Sequence, residues 1–97
     1  MTKYNLVAAA KISIMDSYEW GTLLIFKQAE KQFSGLCVQG RVVSPLFNGD
    51  NERKPYDACR EWFSDRQDGF LDVETLELND DSVKNALERS KSRLSVG

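Results

Sequence analysis

"TLLIFKQ", Thr22–Gln28, is the stretch whose reading decides the fold. Four apolar residues stand in an unbroken row, Leu23 to Phe26. Set on a helical wheel with its neighbours from Tyr18 to Phe33, the segment scatters its apolar side chains around the whole circumference. An amphipathic helix would gather them into one stripe. The segment therefore reads as a strand, turning at "AEKQ", 29–32. Asp16 followed by Glu19 imitates a helix capping box, but the wheel is against a helix here, and "DSYEWG", Asp16–Gly21, reads as a turn.

Working outward, Tyr4, Leu6, Ala8, Ala10, Ile12 and Ile14 alternate along Lys3–Met15 as one face of a strand would. The three alanines would also suit a helix; the alternation favours the strand. A third strand follows through "FSGLCVQGRVV", Phe33–Val43, with Gly35 and Gly40 as weak points or bulges. The first 43 residues thus read as a three-stranded antiparallel meander. "SPLFNGDNERKP", Ser44–Pro55, holds both prolines and an Asn-Gly turn signal, and reads as a surface loop between the halves of the chain.

Residues 55–97 read as helix, strand, helix. Pro55 suits a first helical turn, and Asp57 near the start favours the helix dipole. Tyr56, Cys59 and Phe63 share one stripe, with Trp62 beside them. Gly69 fits the stop. "FLDVETLEL", Phe70–Leu78, reads as a strand with Leu71 and Val73 on one face, Asp72 and Glu74 on the other. Its phase slips near Thr75, which predicts a bulge or an early end. Asp80 or Asp81 caps a final helix whose stripe is Val83, Ala86, Leu87 and Leu94, and whose charged face is Glu88, Arg89, Lys91 and Arg93. The expected fold is α+β: one domain over 1–97, a small antiparallel sheet packed with two helices in the C-terminal half.

Composition narrows the functional classes. The chain has 97 residues, 41% hydrophobic and 29% charged, with a net charge of −2. That is one domain able to bury about 60–65% of its unfolded surface. A nucleic-acid coat needs a basic excess, so direct nucleic-acid binding is disfavoured, a local basic patch apart. The apolar run near the N-terminus is interrupted by Lys11, and the longest elsewhere is "LLIF"; neither suits a signal-peptide core or a membrane span. The expected location is the cytoplasm. Cys37 and Cys59 form no CxxC pair, and there is no histidine. Two thiols alone make no zinc site, and no cofactor is expected.

Without histidine, Ser–His–Asp and Cys–His arrangements are impossible. "FSGLCVQG" lacks the Lys-Ser/Thr ending of a phosphate loop. Asp72 with Glu74 is a conceivable hydrolase pair, but exposed strand carboxylates are usually solvated. Arg60 and Lys54 would lower the pKa of a reactive Cys59; its place on the buried stripe favours an inert thiol. The expectation is therefore a non-enzymatic, partner-binding protein, with a small enzyme as the alternative.

The residues that stand out for binding a partner are Trp62, Arg60 and Arg66 on the first helix, Asp72 and Glu74 on the later strand, and Arg89 and Arg93 on the last helix. Trp62 exceeds the aromatic bulk that three helical turns normally hide, and tryptophan and arginine are typical interface anchors. From Asp65 to Asp81 there are seven carboxylates and one arginine. Such a row can imitate DNA phosphates, although strand alternation and capping account for most of these acids. The last helix has a rival use, docking in a partner's groove.

The opening "MTKYNLVAAAKIS", Met1–Ser13, with the chain length and overall character, resembles the small anti-RecBCD proteins of P22-type temperate phages. The resemblance covers the chain as a whole and carries no residue roles with it. It implies a protein that binds a host recombination nuclease through its RecC subunit and acts by occlusion or redirection. An anti-CRISPR or DNA-mimic inhibitor has the same general character.

Overall fold

The computed structural model describes residues 4–14, 19–66 and 71–94. Its elements are β1 (Asn5–Ile14), β2 (Trp20–Ala29), β3 (Gln32–Gln39), β4 (Val42–Val43), β5 (Phe47–Gly49), α1 (Arg53–Arg66), β6 (Leu71–Thr75) and α2 (Asp81–Leu94). All pairings are antiparallel, in the order β4-β3-β2-β1-β6, with β5 also on β3. The α+β expectation holds, including the early end of β6 at Thr75.

The unbroken apolar row of β2 follows from a sheet covered on both sides. Successive strand residues point to opposite faces. Leu23 and Ile25 enter one core with Cys59 and Phe63 of α1, while Leu24 and Phe26 enter the other with Val83 and Ala86 of α2. A helix thus packs on each face, and burial of β2 on both sides erases the alternation a one-sided strand would show.

β1 serves both cores by a different device. Its register with β2 shifts between Leu6 and Ala8, leaving Val7 as an exposed bulge residue. Before the bulge, Tyr4 and Leu6 pack on the α2 side; after it, Ala8, Ala10, Ile12 and Ile14 pack on the α1 side. The six residues expected on one face are divided between two, because one inserted residue inverts strand parity.

Two further expectations are corrected. The third strand does not run to Val43: it ends at Gln39, and Gly40 adopts φ +60 to make a turn into β4. The supposed loop 44–55 contains β5, and α1 begins at Arg53, before Pro55. The Asn51 side chain accepts a bond from the Lys54 N–H at 3.0 Å and caps α1. Pro55 remains within the first turn, where its missing N–H is no loss. Asp57 falls in the second turn and pairs with Arg53 at 3.3 Å.

Gly35 lies under α1. A Cβ there would stand 2.8 Å from Ile25 Cδ1 and 3.0 Å from Pro55 Cβ, so the missing side chain lets helix and sheet close. Asp80 caps α2, accepting the Ser82 N–H at 2.8 Å. Val83 and Ala86 are buried and Leu87 and Leu94 half-buried, as their spacing predicts. The expected turn residues 16–18 and the stop at Gly69 lie outside the described residues.

Candidate interaction surface

α2 lies over β2, β3 and β4. Beyond it, toward β1 and β6, the same face of the sheet turns polar. Ser13 stands opposite Trp20 on one side and Asp72 on the other; Lys11 stands opposite Thr22 and Glu74. Directly opposed residues share a face. These two rows continue the face that carries Ala9 and Leu24 into the α2 core.

Trp20 is the notable member. It is 42% exposed, large, and set in a strand rather than in the turn its neighbours suggested. The Lys11 ammonium lies 5.3 Å from its ring centroid, in cation–π range. A cleft of about 400 Å³ runs from Glu19 and Trp20 across Thr22 and Val38 to Asn85 and Arg89 of α2. The surface thus combines a rigid aromatic plate, a cation, two exposed carboxylates and a shallow cleft. This suits recognition of a protein surface, where an aromatic anchor beside polar groups concentrates binding energy.

The residues singled out from sequence divide among three places. Arg60 lies on α1, its guanidinium carbon 5.8 Å from the Tyr56 ring. Trp62 is half-buried and packs against the α1-side core. Much of its aromatic bulk is therefore absorbed by the fold. Arg66 ends α1, and its side chain lies outside the described residues. Asp72 and Glu74 are exposed on β6, on the Trp20 surface. Arg89 donates to the Gly40 carbonyl in the β3–β4 turn, and Arg93 donates to the Val43 carbonyl at the end of β4 at 3.3 Å, so both tie α2 to this hairpin. Since α1 and α2 occupy opposite faces of the sheet, these residues do not form one patch.

Lys11, Ser13 and Trp20 were missed. The available signal was parity: Trp20 stands two residues before Thr22 and four before Leu24, so a strand begun earlier places it on the Leu24 face.

The thiols lie elsewhere. Cys37 and Cys59 are unbridged and buried in the α1-side core. Burial pushes the Cys59 thiol far up, and neighbouring Cys37 adds to the shift, so Cys59 stays protonated and unreactive at neutral pH. Among the described residues, no group of three or more cysteine and carboxylate side chains is placed to hold a metal ion, and no helix is long and apolar enough to cross a membrane. Compared with protein families, curated proteins and solved structures, the chain matches none.

Proposed function

We propose that the protein is a binding module that docks on a larger protein assembly through the Trp20 surface. The observation that carries this reading is Trp20 itself, held exposed in a regular strand beside Lys11 and facing a cleft. The exposed part of the Trp20 ring contributes little to folding beyond its contact with Lys11, whereas covering it with a partner contributes hydrophobic free energy at little entropic cost. The partner class is taken from the resemblance of the chain as a whole, its length and opening Met1–Ser13 included, to phage anti-RecBCD proteins: a host nuclease complex, engaged through a RecC-like subunit and occluded or redirected. The location that goes with it is the host cytoplasm.

Affinity capture from bacterial lysate with mass spectrometry tests this, using the wild-type chain and Trp20→Ala. Wild type should recover a nuclease subunit and Trp20→Ala should not, with both chains equally folded by circular dichroism. Recovery of no nuclease subunit by wild type removes the nuclease reading. Equal recovery by both removes the Trp20 surface.

A DNA-mimic version of the same reading has one supporting observation, the exposed Asp72 and Glu74 along one strand face. Lys11 opposite Glu74 interrupts that negative row. Neutralising Asp72, Glu74 and Glu77 together should abolish inhibition under this version while Trp20→Ala retains it; under docking through Trp20, Trp20→Ala abolishes it and the triple variant only weakens it.

A further inference from the structure

On the far side of α2 from the sheet's polar rows, a groove of about 630 Å³ is edged by Arg41, Arg89 and Arg93 and floored by Val43, Pro45 and Leu46. Among the described residues no carboxylate lines it. In a chain of net charge −2 with 15 acidic residues, this local concentration of one sign stands out. Among the described residues none of the three arginines forms an ion pair.

Turn bracing accounts for part of this. Arg89 and Arg93, one helical turn apart, reach the Gly40 and Val43 carbonyls. Each of these two contacts uses one donor of a guanidinium that has five. The bracing also fixes where the guanidinium groups sit, which lowers the entropy lost when an anion binds. Arg41 lies between the two braced carbonyls in sequence, exposed in the turn, and bracing leaves it unexplained.

We infer that this groove binds an acidic, extended segment of a partner protein, its carboxylates taken by the three arginines and an apolar side chain laid on Val43 and Leu46. Guanidinium forks match carboxylates in bidentate geometry. The apolar floor, with Val43 and Leu46 half-buried and Pro45 exposed, suits an aliphatic side chain between acids. A nucleic acid fits less well: among the described residues the groove lining offers no aromatic side chain for base stacking. The site shares Arg89 with the Trp20 cleft but requires neither Trp20 nor a particular partner.

The probe is a fluorescein-labelled peptide, Glu-Leu-Glu-Glu-Leu-Glu, titrated with the full chain and read by anisotropy. Comparators are the same peptide with lysine for glutamate and a short oligothymidylate. The acidic peptide should bind saturably, more weakly with added salt, and the lysine peptide should not bind. Arg41→Glu should weaken binding at least ~tenfold, and Arg41→Gln should weaken it less. Because Arg41 is exposed in a turn, both variants should melt with the wild type, which separates lost binding from lost fold. Three results overturn the inference: no saturable binding of the acidic peptide, undiminished binding by Arg41→Glu, or tighter binding of the oligothymidylate.

Discussion

Ser44 and Cys37 exchange two hydrogen bonds of different kinds: the Ser44 N–H donates to the Cys37 carbonyl at 2.9 Å, and the Cys37 N–H donates to the Ser44 hydroxyl at 2.8 Å. The hydroxyl in turn donates to the Pro45 carbonyl at 3.0 Å. A side chain thus stands in for the backbone acceptor between β4 and β5, keeping both on the β3 edge although the chain does not run straight between them. Ser44→Ala leaves the Cys37 N–H buried without that acceptor. It should cost about 1–3 kcal/mol, read as a lower urea midpoint with unchanged slope.

Gly35→Ala tests how closely α1 approaches the sheet. The new methyl meets Ile25 Cδ1, Pro55 Cβ and, at 3.3 Å, Cys59 Sγ. Overpacking of this kind should cost about 1–3 kcal/mol. Adding Ile25→Val removes the nearest atom, so the double variant should lose less than the two single losses combined. Strict additivity in denaturation would show that the clash is relieved elsewhere.

Two hairpin residues share a left-handed backbone but differ in type: Lys31 at φ 59 and Gly40 at φ 60. Opposite outcomes are expected on substitution. Lys31→Gly should raise stability by about 0.5–1 kcal/mol by relieving the Cβ penalty. Gly40→Ala should lower it by about 1 kcal/mol, and through the backbone alone, since no atom lies within 4 Å of the added Cβ. Thermal melts of the two variants check the pair.

Cys59 makes stability fall in alkali. Its folded-state pKa is raised by burial, whereas in the unfolded chain it ionises near about 8.5. Below that pH both states hold the proton and its contribution is complete. Above it only the folded state does, so stability drops by about 1.4 kcal/mol per pH unit for this group. Cys59→Ala should reduce stability at neutral pH by leaving a void, yet flatten the alkaline slope. Urea titrations of both chains from neutral pH to about pH 10 compare the slopes.

What the sequence revealed depended on how many faces of each element are buried. α1 and α2 each bury one stripe, so Cys59, Phe63, Val83 and Ala86 were placed correctly from spacing alone. β2 is buried on both faces, and its strand character was recovered only because its residues failed a helical wheel. The Val7 bulge left no local mark, since alternation continues on paper while the chain changes sides. β5 was hidden by Asn48–Gly49, a turn signal that here sits in a short edge strand. Charged residues could be recognised as surface residues, but not assigned to a common surface. That assignment needs the pairing of β1 with β2 and β6, a relation between distant segments that no local spacing encodes.

The one extra residue at Val7 has a consequence for how the molecule comes apart. A single continuous strand contributes its beginning to the α2-side layer and, after the bulge, its larger apolar residues to the α1-side layer. Neither layer can lose that strand without disturbing the other, and β2 joins them as well, so the two should melt as one cooperative unit.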